Sequence, residues 1–260
     1  MNVLFVTSFN PRLYEATGYR LVDSFLDISS GRLLVCKEGD VDLPASDRIL
    51  VHDLDEDVLL QKWLRENRDV IPVDMGGLAE SCRCWKWFKH RRRCPFSSSW
   101  NRRASGWFRK IVSLTRGRAI PGVDVLIWLD CDCVFKKDLS SAAIEDLFQG
   151  TSVIYLKGPN RHYEETGFVG YDLRKRGNEF IEKLLDRYVS RCYLRDIRWD
   201  DAYQFHMVRD KSRIPCRDIA GTTSLFNGSP EAVFPESLIG PYFDHFKGQH
   251  ARVLKMFKKV

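Results

Sequence analysis

Five apolar residues, Val125, Leu126, Ile127, Trp128 and Leu129, run without interruption and stop at Asp130-Cys131-Asp132. A run so short and so continuous reads as a strand buried on both faces, the pattern of a parallel or mixed sheet covered by helices. Unpaired charge is costly to bury, so two carboxylates at the end of such a strand need partners. Side chains alternate along a strand, so Asp130 and Asp132 are expected to point one way and Cys131 and Cys133 the other. Two hard oxygen donors at a strand's carboxyl end suit Mg²⁺ or Mn²⁺, and that edge is where open α/β sheets bind ligands. A plain strand-end turn that caps the next helix would use the same residues.

The chain before this strand supports an α/β fold. Strands are expected at residues 3–6, 33–36 and 48–52, with helices at 14–28 and 53–67, the alternation of a doubly wound sheet. Residues 7–11 read as a loop over the carboxyl edge, where Thr7 and Phe9 would face a nucleotide. No Gly-x-Gly-x-x-Gly follows the first strand and no P-loop occurs, which disfavours dinucleotide-binding and kinase-type readings. Downstream, helices are expected at 139–148 and 178–188 and strands at 153–156 and 164–173. A further helix opens at Asp200-Asp201, where the acids either complement the helix dipole or act on substrate. The tail, 252–260, reads as a basic, solvated helix or frayed end.

Residues 81–123 stand apart. They hold twelve Lys or Arg, four Trp and no acid. Cations interleaved with aromatic rings suit a polyanion whose phosphates pair with charge and whose bases or sugars stack; the alternative is a solvated surface anchored by Trp. Within this stretch 107–114 has helical spacing, and its Lys110 would reach a bound diphosphate. Across 260 residues the net charge is +6, which favours anionic partners without naming one. The N-terminus lacks a basic start and a long apolar run, and no transmembrane segment is evident, so a cytoplasmic location is expected (host cytoplasm for a viral protein), with the eight cysteines as thiols. Cys82, Cys84 and Cys94 would make at most an irregular metal knuckle. One domain without linkers or repeats is expected.

Taken in order, these elements resemble a glycosyltransferase of the GT-A fold. The resemblance rests on Trp128-Leu129-Asp130-Cys131-Asp132 as the Asp-x-Asp strand end, the aromatic helix with Lys110, the strand Thr166-Gly167-Phe168-Val169-Gly170, Asp200-Asp201, and His245-Phe246-Lys247-Gly248 near the end. It implies a single Rossmann-like domain, with residues 1–135 holding a nucleoside-diphosphate sugar (UDP-sugars being the first expectation) and 136–260 the acceptor. It implies Mn²⁺ or Mg²⁺ on Asp130, Asp132 and His245. Thr7, Phe9, Lys110, Asp130, Lys247 and Gly248 would contact the donor. Asp201, then Asp200, are the candidate bases for an inverting reaction, and a retaining one requires none. Gly167, Phe168, Trp199, Arg91, Arg92, Arg102 and Arg103 would contact the acceptor.

The basic stretch is longer than a minimal member of that family needs. It inclines the acceptor towards duplex DNA carrying hydroxymethylated pyrimidines, as in phage-type DNA glycosyltransferases, with a saccharide or lipid-linked glycan as the alternative. Two other classes compete. A haloacid-dehalogenase-like phosphohydrolase also uses an apolar strand and Asp-x-Asp, although that motif usually opens its domain. A non-catalytic nucleic-acid-binding module built on 81–123 would leave Asp130, Asp132 and His245 without a task.

Overall fold

The computed structural model describes residues 1–68, 104–157, 163–196, 198–221 and 233–246. Seven strands form the main sheet: β1 (Val3–Phe9), β2 (Arg32–Lys37), β3 (Ile49–Asp53), β4 (Val125–Leu129), β6 (Val153–Leu156), β7 (Glu165–Asp172) and β8 (Cys216–Asp218), in spatial order β3-β2-β1-β4-β7-β6-β8. Neighbours pair in parallel except at β7, which runs against both β4 and β6. β5 (Cys133–Phe135) and β9 (Phe243–His245) make a separate antiparallel ribbon.

The unbroken apolar run of β4 has a direct cause. It lies between β1 and β7, with every residue buried. Val125, Ile127 and Leu129 face one hydrophobic cluster together with helix α1 (Tyr19–Ile28). Leu126 and Trp128 face the other, together with α2 (Val58–Glu66), α3 (Ala104–Arg118), α5 (Gly177–Val189) and α6 (Asp201–Ser212). Helix α4 (Ser141–Phe148) and the short α7 (Val233–Glu236) cover the α1 face. The result is the helix–sheet–helix layering in which strands carry apolar residues on both faces.

The segment after the first strand differs from the expected loop. Pairing with β2 continues as far as Phe9 opposite Lys37, so Thr7 is a strand residue. It is fully buried, and its hydroxyl has no hydrogen-bond partner among the described residues. The chain then passes through a helical turn (Pro11–Leu13) and a π-helical stretch (Tyr14–Gly18) into α1. Helix α3 also corrects an expectation. Its residues Phe108, Ile111, Val112 and Leu114 are buried in the core, and Phe108 stacks on Trp63 with centroids 4.5 Å apart. The C-terminal part of the basic stretch therefore packs its apolar residues into the core.

A charged cluster ties α2 to α3. The Asp57 carboxylate caps α2 through Leu60 N at 3.0 Å and receives Arg116 Nε at 2.5 Å and His52 Nε2 at 2.7 Å. Burial pushes its pKa up, but the Arg116, Leu60 and His52 hydrogen bonds outweigh this and hold it at about 2, below its ordinary 3.8. A depressed carboxylate stabilises the fold above its unfolded pKa and loses that contribution as pH falls through the folded one. Asp57 is thus expected to contribute on the order of 2 kcal/mol at neutral pH, lost between about pH 4 and pH 2. Urea unfolding across that window should show the slope in the wild type and a reduced slope in Asp57→Asn.

Candidate functional site

The strand order reverses between β1 and β4, both central and parallel. At such a switch point the loops leaving the two carboxyl ends diverge and open a crevice. On the β1 side lies a cleft of about 620 Å³ whose walls include Ser8, Phe9, Asn10, Glu38, Asp55 and Arg109. Phe9 contributes to it while its ring packs against Tyr14. Arg109 forms an ion pair with Glu38 at 2.6 Å.

On the β4 side stand the acids. The strand ends at Leu129, and Asp130-Cys131-Asp132 forms a turn in which Cys133 N donates to Asp130 O at 3.0 Å. The expectation of two carboxylates side by side on one strand face is therefore corrected: the turn sends them to different partners. Asp130 Oδ1 accepts from Trp128 Nε1 at 2.7 Å and lies 3.4 Å from Lys110 Nζ. Asp132 Oδ1 lies 3.1 Å from His245 Nε2. Cys131 meets Thr17 on the α1 side, and the Cys133 thiol points to Gly167 O at 3.6 Å.

His245 arrives from 113 positions down the chain because β9 pairs with β5, placing His245 opposite Cys133, and because Phe246 N donates to Asp132 O. Its side chain is 2% exposed. The imidazole sits over Gly167, where a Cβ would lie 3.0 Å from Cε1 and 3.2 Å from Nε2. Gly167 thus makes room for the imidazole, a tighter role than the acceptor contact expected for it. Burial alone would lower the His245 pKa; Asp132, then Glu165 and Asp130, more than reverse this, and the pKa is raised.

The antiparallel direction of β7 brings its first residues, Glu165, Thr166 and Gly167, to the carboxyl end of β4. Lys110, on α3, enters the same space and is 5% exposed. Its Nζ donates to Thr166 O at 2.6 Å and to Asp201 Oδ2 at 2.6 Å. Burial would lower its pKa, yet Asp130 and Asp201 raise it. Lys110 is consequently held inside the protein by Thr166 O and Asp201.

Asp201 and Asp200 are both engaged within the protein. Asp201 Oδ2 receives Lys110 Nζ at 2.6 Å and the Thr166 hydroxyl at 2.7 Å. Asp200 caps α6 through Tyr203 N and pairs with Arg198 Nε at 2.7 Å. Phe168 is 0% exposed within the core beside Phe243. Trp199 is packed edge-on to Tyr193, its carbonyl accepting from Tyr188 OH. Arg91, Arg92, Arg102, Arg103, Lys247, Gly248, Cys82, Cys84, Cys94 and the tail lie outside the described residues.

Sequence reasoning missed Glu165. It is 1% exposed, and its Oε1 accepts from Gly167 N at 3.2 Å. Donor atoms of Asp130, Glu165 and His245 lie within 4.8 Å of one another, and so do those of Asp132, Cys133 and His245. The signal was present: Glu164-Glu165 opens a buried strand, the same anomaly that marked Asp130. A divalent cation fits this set. His245 Nε2 is buried beside Asp132 Oδ1, and carboxylates with one imidazole suit Mn²⁺ or Mg²⁺. Burial pushes the Cys133 thiol well up, so it stays protonated. In the phosphohydrolase alternative Asp130 would be a nucleophile opening its domain; here it follows the fourth strand and is tied to Trp128 and Lys110. Among the described residues no helix is long and apolar enough to cross a membrane.

No protein-family profile matches the chain, and no curated protein does. Solved structures match along nearly its whole length. They include mouse xyloside xylosyltransferase 1 (11% identity, TM-score 0.51, 96% of this chain and 99% of that one). A glycosyltransferase involved in the glycosylation of the major capsid of PBCV-1 matches at 12% identity and TM-score 0.51, over 100% of both chains. An active-site mutant of LgtC matches at 13% identity and TM-score 0.51, over 98% of this chain and 95% of that one. Identities this low establish architecture, and on that ground the chain is a single α/β domain with the GT-A fold of these glycosyltransferases.

Proposed function

We propose that the chain transfers a sugar from a nucleoside-diphosphate donor, a UDP-sugar in the first instance, to an acceptor hydroxyl. The observation that carries this reading is the convergence of Asp132 and His245, 3.1 Å apart, at the switch point beside the cleft. Asp130, Asp132 and His245 would hold Mn²⁺ or Mg²⁺. When bound there, the cation supplies positive charge to offset the charge building on the departing diphosphate. The cleft over β1, with Phe9 in its wall, takes the nucleoside. Lys110 acts by fixing Asp130 and Asp201 rather than by touching the donor. Lys247 and Gly248, two and three positions beyond His245, are proposed for the diphosphate, as a cation and as a point of close backbone approach.

For the acceptor, we infer duplex DNA with hydroxymethylated pyrimidines from the eight cations between Arg83 and Arg103. A specific observation favours the alternative, a saccharide: the remaining four cations of that stretch are used internally. Arg109 pairs with Glu38, Lys110 with Asp130 and Asp201, Arg116 with Asp57, and Arg118 with Glu182.

The test is a screen of nucleotide-sugars for hydrolysis with and without Mn²⁺, followed by acceptors that include hydroxymethylated DNA. Mn²⁺-dependent release of a nucleoside diphosphate supports the proposal; no binding or turnover of any nucleotide-sugar sinks it. If DNA is the acceptor, affinity for duplex falls steeply as salt rises. Absence of DNA binding at low salt transfers the acceptor to the saccharide class.

A further inference from the structure

We propose that Glu38 reads the ribose of the donor by accepting from its 2′- and 3′-hydroxyls, so that the cleft takes ribonucleotides and rejects their deoxy forms. The inference rests on the cleft over β1 as the place of the nucleoside. It goes beyond that by naming the group that selects the nucleotide's own sugar.

The first observation is topological. Glu38 is the residue after β2, and β2 pairs with β1 on the side away from β4. In doubly wound sheets an acid past the second strand accepts from a ribose hydroxyl, because the nucleotide lies across the carboxyl edge. With the diphosphate on the β4 side, the ribose falls towards β1 and β2.

The second is the chemistry of the cleft. Its charged walls are Glu38, Asp55 and Arg109. Two carboxylates against one guanidinium suit a neutral ligand rich in hydroxyl donors better than a phosphate. Asp55 Oδ2 already accepts from Gly39 N at 2.6 Å, so Asp55 shapes the turn that carries Glu38. A carboxylate has two oxygens with several lone pairs, enough for two vicinal hydroxyls.

The third is that Glu38 is held in place before any ligand arrives. Its N donates to Phe9 O at 3.1 Å, and Gly39 takes the left-handed φ of 68° that the turn requires. Arg109 Nε stands 2.6 Å from Glu38 Oε2, while Arg109 Nη1 donates to Ser105 O at 2.8 Å. Helix α3 thereby orients the carboxylate. The Glu38 side chain remains 22% exposed, so it is reachable from the cleft.

The experiment measures, by titration calorimetry with Mn²⁺ present, the binding of UDP, 2′-deoxy-UDP and 3′-deoxy-UDP to the full chain, with the GDP, ADP and CDP sets in parallel. Wild type is expected to bind the ribonucleotide at least about 10-fold more tightly than either deoxy form, the scale of one hydrogen bond to a charged group. In Glu38→Ala the affinities for the three forms should agree within about 3-fold. Glu38→Gln, which keeps an acceptor oxygen and the shape of the cleft but not the charge, should show a ratio below wild type. Each ratio is taken within one variant, so an effect on folding cancels. Equal affinity of wild type for the ribo and deoxy forms overturns the inference, and so does wild-type discrimination in either variant; both results leave the sugar-transfer reading standing. If no nucleoside diphosphate binds, that reading falls and this inference falls with it.

Discussion

Asp132→Asn is expected to lower metal-dependent turnover by about 10²–10³-fold while the unfolding midpoint stays close to wild type. Asn is nearly isosteric and keeps one carbonyl oxygen, so packing around the turn survives. On the proposed reading, what is lost is a full negative charge at the cation, together with the partnership with His245, 3.1 Å away. Metal stabilisation of a leaving diphosphate amounts to several kcal/mol, and each 1.36 kcal/mol is tenfold in rate. Asp130→Asn should also abolish most transfer, but with a second effect: it removes one of the two carboxylates that face Lys110. Steady-state rates of nucleoside-diphosphate release across a Mn²⁺ titration make the measurement. Wild-type rates in both purified variants would remove the metal assignment.

Lys110→Met is expected to cost about 3–5 kcal/mol of stability, the largest single-residue effect foreseen. The residue is 5% exposed, and its ammonium sits between Asp201 at 2.6 Å, Thr166 O at 2.6 Å and Asp130 at 3.4 Å. Removing it leaves buried carboxylate charge without its cation, which is worse than never having built the pair. In a domain of this size such a loss lowers the melting temperature by on the order of 10 °C. The double variant Lys110→Met/Asp201→Asn should recover part of the loss, because the stranded charge is gone. Additive losses in that double-mutant cycle would show that Lys110 contributes through its aliphatic stem rather than through the ion pair.

Local patterning determined much of the architecture. Val125–Leu129 and Val153–Leu156 have the bounds their apolar runs imply, since burial on both faces demands continuity whatever the partner. The α/β alternation up to residue 67 follows for the same reason. Where pattern and structure part, a contact distant in sequence decided. β1 runs on through Thr7 to Phe9 because β2 offers a partner as far as Lys37, and no residue within residues 7–11 announces that.

The site divides in the same way. Carboxylates stranded beyond a buried strand marked Asp130 and Asp132, and the identical anomaly at Glu165 was there to be read. That His245 meets Asp132, that Lys110 turns inward to Asp201, and that Gly167 lies beneath the imidazole were decided by strand pairing: β5 with β9 and β4 with β7. Periodicity records how deeply a residue is buried, because burial acts on each side chain separately. Which two buried groups face each other depends on register between segments distant in sequence, and only the folded sheet sets that register.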